Sequence, residues 1–72
     1  MKTATAILRN WKRIEHPQGH YYWGNVYDDI KERFKDGARI HTSHVVREED
    51  KGTYLEVHTL NSIYILRKDN DN

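Results

Sequence analysis

The sequence contains no cysteine and only one proline among its 72 residues. Without cysteine, the chain cannot form disulfides or thiolate sites for zinc or iron–sulfur clusters. It also lacks an apolar run near the ~20 residues of a membrane-spanning helix, and its first residues lack the apolar segment of a signal peptide. We therefore expect one small cytoplasmic domain that contacts no membrane and binds no cofactor.

A large excess of charge of one sign is also missing. The chain has 12 Lys and Arg residues against 11 Asp and Glu residues, for a net charge of +1 with histidine neutral. Proteins that bind DNA mainly by counterion release usually carry a strong basic excess. The overall charge therefore disfavours sequence-independent binding to nucleic acids. Residues 9–13 are nevertheless locally basic and include an aromatic ring.

Turn-forming residues divide the chain into short segments rich in β-branched and aromatic residues, which is typical of a compact antiparallel β domain. The turns fall at 17–19, 36–37, 50–52 and 61–62, and Gly52 is expected to adopt a positive φ. Apolar and polar residues alternate most clearly over 39–47. The predicted strands are 20–27, 39–47, 53–60 and 62–68.

The first segment, residues 5–15, fits two structures. Ile7, Leu8, Trp11 and Ile14 have the spacing of an amphipathic helix, but the same segment can pair with 20–27 across the turn at 17–19. We favour a strand, because a helix of about ten residues gains little stability alone in water. Residues 28–34 are expected to form a short helix, capped by an aspartate at its start and ended by Gly37.

Together these elements predict a mainly β fold. It is a small five-stranded antiparallel barrel or strongly curved sheet, with one short helix between strands two and three. Residues 1–68 make up a single domain, and 69–72 are expected to form a disordered polar tail.

The five histidines allow two interpretations. His41 and His44 have a spacing that can chelate a metal, but on a regular strand they point to opposite faces unless the strand bends. His16 and His20 flank a turn and could converge, with His58 as a third ligand. The simpler interpretation, structural or surface histidines without metal, is favoured because closed zinc sites usually need four good ligands.

No sequence pattern points to catalysis. Ser43, His41 and Asp36 offer the residue types of a nucleophile, a base and the group that orients it, but no nucleophile elbow surrounds them. There is no glycine-rich phosphate-binding loop, and the core of a single copy is too small to form the walls of a deep cleft. We therefore expect a protein that is not an enzyme.

Aromatic residues are concentrated near the basic segment 9–13. The rings either stack on bases, as in small oligonucleotide-binding barrels, or fill the core and subunit interfaces. Residues 21–23 are all aromatic and cannot all point inward, so at least one ring should face solvent or a partner. The aromatic residues are Trp11, Tyr21, Tyr22, Trp23 and Tyr27.

Hydroxyl, amide and guanidinium groups cluster at two neighbouring strand ends, in 33–43 and 59–64. Such groups suit a phosphate or a ribose edge. In this interpretation Arg33, Arg39, Thr42 and Ser43 contact phosphate, Asn61, Ser62 and Tyr64 orient the sugar or base, and Trp23 stacks. The alternative is that these are ordinary strand and turn residues, with Arg33 paired to Asp29.

Four segments resemble a pattern found in small bacteriophage and prophage proteins. They are GNVYDD (24–29), RFKDG (33–37), IHTSHV (40–45) and TLNSIYIL (59–66). The resemblance covers residues 24–66, which are most of the chain, and the sequence departs from the pattern at 30–32, where a glycine turn is expected. It implies a phage accessory protein that acts in the infected cell by binding its target stoichiometrically.

Three functional hypotheses follow. The first is a homo-oligomeric binding protein that counteracts host defence, either by sequestering a nucleotide signal or by binding a bacterial defence protein. Oligomerisation would supply the walls that one small sheet lacks. The second is a nucleic-acid-binding or transcription-modulating barrel that uses Arg9, Trp11, Lys12 and Arg13 with Tyr21 and Trp23. The third is a structural component of a virion.

Overall fold

The structure, a computed structural model, describes residues 4–68. This part of the chain forms six β-strands, and none of it is helical. None of it therefore forms a helix long and apolar enough to cross a membrane. The tail predicted at 69–72 lies outside the described residues. The strands are β1 Ala6–His16, β2 Gly19–Tyr27, β3 Arg39–His41, β4 Arg47–Asp50, β5 Tyr54–His58 and β6 Ile63–Arg67.

The strands form one mixed sheet in the order β3-β2-β1-β6-β5-β4. β1 and β2 make an antiparallel hairpin, and β4, β5 and β6 make an antiparallel meander. The two parts join where β1 runs parallel to β6. Thr5 fixes this junction, because its amide donates to the Ile63 carbonyl at 2.6 Å and its hydroxyl accepts from the Ile63 amide at 3.0 Å.

The predicted five-stranded antiparallel fold with a helix is therefore wrong. The sheet has six strands and one parallel pair, and its edge strands β3 and β4 do not pair to close a barrel. The preferred strand over 5–15 corresponds to β1, and the positive φ expected at Gly52 is present at 95°.

The single strand predicted over 39–47 is divided between the two edges of the sheet. β3 ends at His41, and β4 begins at Arg47. Between them the Val45 amide still bonds to β2, through the His20 carbonyl, whereas the Val46 amide bonds to the His58 carbonyl of β5. The alternating sequence continues through the segment, but its hydrogen-bonding partner changes.

The predicted helix at 28–34 is a loop that begins with one capped turn. The buried Asp29 carboxylate accepts from the amides of Lys31 and Arg33, and the Glu32 amide donates to the Asp29 carbonyl at 2.9 Å. Glu32 then adopts a φ of 55°, which a right-handed helix cannot include. The capping signal at Asp29 was therefore correct, but the helix stops after this turn.

A β-bulge reverses the alternation of β1. The register shifts between Arg9 and Lys12, where two residues of β1 lie opposite Gly24 alone. Asn10, the first of them, has a φ of 52°, a left-handed conformation that asparagine tolerates better than most residues. Even-numbered side chains face the core before the bulge and odd-numbered ones after it, so Trp11 packs against the core.

Alternation along the strands gives the sheet two distinct faces. We call the face with the buried apolar cluster the inner face and the opposite one the outer face. The largest fully buried side chain of the cluster is Tyr22, whose ring meets Trp11 edge-on at 5.6 Å. The cluster consists of Ala6, Leu8, Tyr22, Val26, Ile40, Val57, Tyr64 and Leu66.

The sheet is strongly curled around this core. In a flat sheet of six strands, the two edges would lie about 24 Å apart, at ~4.8 Å per strand. Residues 42–46 connect β3 to β4, and an extended chain of that length spans about 20 Å at most. The edges must therefore bend towards each other, which brings the inner face of β4 against that of β2.

Candidate functional site

The eight site residues proposed from the sequence fall into two separate groups in the structure. One group lies where the 28–36 loop meets β6, and the other lies on and beside β2 and β3. The first group is Arg33, Asn61, Ser62 and Tyr64, and the second is Trp23, Arg39, Thr42 and Ser43.

In the first group, the Arg33 side chain forms hydrogen bonds that stabilise the 28–36 loop. Its Nε donates to Asp29 Oδ2 at 3.0 Å, and its two terminal nitrogens lie 3.3 Å from Ser62 Oγ and 3.4 Å from Tyr64 Oη. Burial opposes the charge on Asp29, but hydrogen bonds from Arg33 and from the loop amides outweigh it and lower the pKa of Asp29. The alternative in which Arg33 pairs with Asp29 is therefore confirmed.

Two other members of the proposed site also make structural contacts. Thr42 is fully buried, and its hydroxyl accepts from the Tyr22 amide at 3.1 Å and donates to the Ser43 carbonyl at 2.8 Å. The Asn61 carbonyl accepts from Lys31 Nζ at 2.7 Å, which ties the 59–62 turn to the 28–36 loop. The Thr42 hydroxyl is thus already hydrogen-bonded within the fold.

Two members of the second group, Trp23 and Arg39, lie on a surface that we call the aromatic–basic face: Lys12, Tyr21, Trp23, Arg39 and His41. It is the outer face of β1, β2 and β3. In the strand register Trp23 lies between Lys12 on one side and His41 on the other. The Arg39 guanidinium lies 5.9 Å from the Trp23 ring, and the His41 ring lies 5.0 Å from it. A half-buried indole thus lies among cationic and aromatic side chains.

The charges on the outer face differ between its two halves. On β1, β2 and β3, no described residue that points outward is a carboxylate. On β4 and β5, by contrast, Glu49 pairs with Arg47 and with Lys51, and Lys51 also lies 3.6 Å from Glu56. Lys12 and Arg39 therefore lie beside Trp23 with no outward carboxylate on these described strands, whereas Asp28, directly after β2, lines a pocket with Arg9.

The six residues of the nucleic-acid hypothesis are divided between the faces. Arg9, Lys12, Tyr21 and Trp23 are outward. Trp11 and Arg13 are inward because of the bulge, and Trp11 Nε1 donates to the Arg67 carbonyl at 2.7 Å. The expectation that at least one ring of 21–23 faces away from the core is confirmed, since Tyr21 and Trp23 flank the inward Tyr22.

Of the two histidine groupings considered from the sequence, the one of His16, His20 and His58 does not form. His20 lies on the inner face and His58 on β5, away from His16. His41 and His44 do come together with His16, because the chain leaves the sheet after His41. Within residues 4–68, no group of three histidine, aspartate or glutamate side chains is arranged to hold a metal ion.

A polar network at one end of the inner face links β4 to β2. Glu48 Oε1 accepts from His20 Nε2 at 2.9 Å and from Tyr22 Oη at 2.8 Å. Burial opposes the charge on Glu48, but these bonds outweigh it and lower the pKa of Glu48. Burial, followed by the bond to Glu48, raises the pKa of Tyr22 to about 12. Near neutral pH this keeps Glu48 charged and Tyr22 protonated, which suits a structural link better than proton transfer.

Comparisons with protein-family profiles, curated proteins and solved structures found no match. Evidence for function therefore comes from the site itself. The feature that sequence reasoning missed is the grouping of His16, His44 and Tyr21 beside the aromatic–basic face. The His41–His44 spacing was its only signal, and reading it required knowing that β3 ends at His41.

Proposed function

We propose that this protein is a non-enzymatic binding protein whose ligand is a single-stranded nucleic acid held on the aromatic–basic face. The observation that carries the proposal is the position of Trp23, between Lys12 and His41 and beside Arg39, on three strands whose described outward residues include no carboxylate. Aromatic rings that stack on bases, next to cations that contact phosphates, are the elements of single-strand recognition.

The geometry favours a single strand over a duplex. In a duplex the base faces are already stacked, so only an unpaired base can lie against the indole of Trp23. The net charge of the chain is only +1, which leaves little general attraction for the closely spaced phosphates of a duplex. Affinity should instead come from stacking and from a few local cations.

A second candidate is sequestration of a nucleotide signal by a homo-oligomer in the cytoplasm of a phage-infected cell. The observation in its favour is a surface pocket of about 500 Å³ on the outer face, lined by Ile7, Arg9, Asn10, Tyr27, Asp28 and Arg67. Two copies placed face to face would enclose a nucleotide that one copy leaves open. A bacterial defence protein is the alternative partner on this hypothesis.

Binding of a fluorescein-labelled twelve-nucleotide oligothymidylate, followed by anisotropy, tests the first candidate. Since Lys12 and Arg39 can reach phosphates, the logarithm of the affinity should fall with the logarithm of salt with a slope of about −1.4. A duplex of the same length should bind more weakly. Equal or tighter binding of the duplex, or no binding of the single strand, would contradict the proposal.

Two pairs of variants, each a test variant and its control, locate the binding surface in that assay. Trp23→Ala should weaken binding by about tenfold or more, because each stacked base contributes about 1–3 kcal/mol. Tyr54→Ala, which removes a ring from β5 on the other half of the outer face, should have little effect. Lys12→Gln and Arg47→Gln form a second matched pair, and only Lys12→Gln should reduce the salt slope, by about 0.7.

Native mass spectrometry tests the second candidate. A stable oligomer that copurifies with a nucleotide, and whose affinity depends little on salt, would favour sequestration. A monomer without a bound small molecule would count against it and would leave the single-strand proposal intact.

A further inference from the structure

A pocket of about 370 Å³ opens beside the aromatic–basic face, at the end of the β1–β2 hairpin. Rings form several of its walls. The His16 and His44 rings are 4.8 Å apart, and the Tyr21 ring meets those of His41 and His44 edge-on at 5.7 and 5.8 Å. We call this the histidine pocket; it is lined by His16, Tyr21, His41, Thr42, Ser43 and His44.

The end of β3 creates the pocket. The Thr42 amide donates to the Tyr22 carbonyl at 2.8 Å, and the Val45 amide donates to the His20 carbonyl at 2.9 Å. These bonds hold both ends of a short bend against β2. Residues 43 and 44 bulge between them, so that His44 reaches His16 across the outward side of the hairpin.

Hydrogen bonds within the chain fix the tautomers of two of these histidines when they are neutral. His41 Nδ1 lies 3.1 Å from the Thr42 carbonyl, which only accepts, so Nδ1 carries the proton and Nε2 is left as an acceptor. His16 Nδ1 accepts from the Gln18 amide at 3.2 Å, so its Nε2 carries the proton and is a donor. Every nucleobase presents donors and acceptors on its edge that can pair with such groups.

The pocket is continuous with the stacking surface. His41 is common to both, since its ring lies against Trp23 on one side and Tyr21 on the other. Trp23 and Tyr21 are two residues apart on the same face of β2, or about 6.7 Å along the strand. That distance is close to the separation of consecutive nucleotides in an extended single strand. The volume lies in the lower range of small-molecule sites, about 300–1,000 Å³.

We propose that the histidine pocket is a second nucleobase subsite, so that the smallest complete ligand is a dinucleotide. One base stacks on Trp23, and the next enters the histidine pocket, against the rings of His44 and Tyr21 that line it. This inference rests on the proposed function and adds to it the length of the ligand.

The test measures the affinity of oligothymidylates of one, two and three nucleotides, each with a 5′-phosphate, by quenching of tryptophan fluorescence. The inward Trp11 contributes a constant background. The wild-type affinity should increase about tenfold from one nucleotide to two, since one more base stacks, and much less from two to three. A smooth increase of equal size at each step would overturn the inference.

Variants in the 42–46 segment sharpen this test. His44→Ala should remove most of the increase from one nucleotide to two while leaving the affinity for the mononucleotide unchanged, and His44→Phe should retain the stacking part of it. Val46→Ala, an exposed position in the same segment, is the control and should behave like wild type. If His44→Ala keeps the full increase, the pocket is not a subsite. If the twelve-nucleotide strand binds but the affinity does not increase from one nucleotide to two, this inference fails alone. If no oligothymidylate of any length binds, the proposed function fails with it.

Discussion

Replacing Gly24 by valine is expected to destabilise the protein by about 3 kcal/mol or more, measured by urea unfolding followed by circular dichroism. A Cβ atom at Gly24 would lie 2.7 Å from Leu8 Cγ and 3.0 Å from the Arg9 carbonyl oxygen. Leu8 is fully buried and cannot move aside without disturbing the core. For a domain of 72 residues, whose total stability is on the order of 4–10 kcal/mol, this is a large loss.

A double-mutant cycle separates this contact from a general effect on the strand. Gly24→Ala should cost about 1–3 kcal/mol in wild type, and less than half as much in a Leu8→Ala background, where the closest atom is gone. All four proteins of the cycle are measured in sodium sulfate, because this salt strengthens apolar burial and keeps the two Leu8→Ala proteins folded. An equal cost in the two backgrounds would contradict the packing explanation.

Replacing Glu48 by alanine is expected to cost about 2–3 kcal/mol at pH 7, measured by the same unfolding assay. The variant leaves the hydroxyl of the buried Tyr22 and the ring of His20 without their common acceptor, and hydrogen bonds to charged groups are among the stronger ones. It also removes the contact that fastens β4 to β2. Glu49→Ala is the matched control, because the neighbouring carboxylate faces outward and should matter much less.

The contribution of Glu48 should depend on pH in a defined direction. Its pKa in the folded protein lies below the ordinary value of 4.5, so its stabilisation is complete above that pH. The stabilisation is then lost as the pH falls through the lowered folded pKa. The difference in stability between wild type and Glu48→Ala should therefore shrink in acid, whereas a difference that is constant from pH 7 to pH 2 would rule out the charged link.

The β1 segment shows why its secondary structure was ambiguous from the sequence. Leu8 and Trp11 both face the core although they are three residues apart, because the bulge at Asn10 reverses the alternation between them. In sequence this spacing matches a helix. Only pairing with β2 reveals the bulge, since it depends on how Gly24 meets the backbone of β1.

The parallel pairing of β1 with β6 could not be derived from local patterns either. Those strands lie at opposite ends of the chain, and their hydrophobic alternation would suit either direction. The helix predicted at 28–34 was wrong for a different reason. Asp29 caps a turn as expected, but its carboxylate also accepts a hydrogen bond from the Arg33 side chain, and the positive φ of Glu32 ends the turn.

The site was predicted in part. Trp23 and Arg39 lie together on the outer face, as a stacking site requires. Arg33 and Thr42 have the right chemistry for phosphate, yet their hydrogen-bonding groups are already used inside the fold. Residue type alone does not distinguish a free donor from one that the loop itself needs. The distinction depends on contacts between distant segments.

The most direct test of the single-strand proposal is an ¹H–¹⁵N correlation spectrum that follows the two tryptophan indole signals during titration with a six-nucleotide oligothymidylate. Trp23 is on the aromatic–basic face, whereas Trp11 faces inward and donates its indole hydrogen to the Arg67 carbonyl, so the two rings serve as probe and internal control in one sample. We predict a saturable shift of the Trp23 signal with little change at Trp11. A Trp23 signal that stays fixed while the oligonucleotide is in excess would contradict the account.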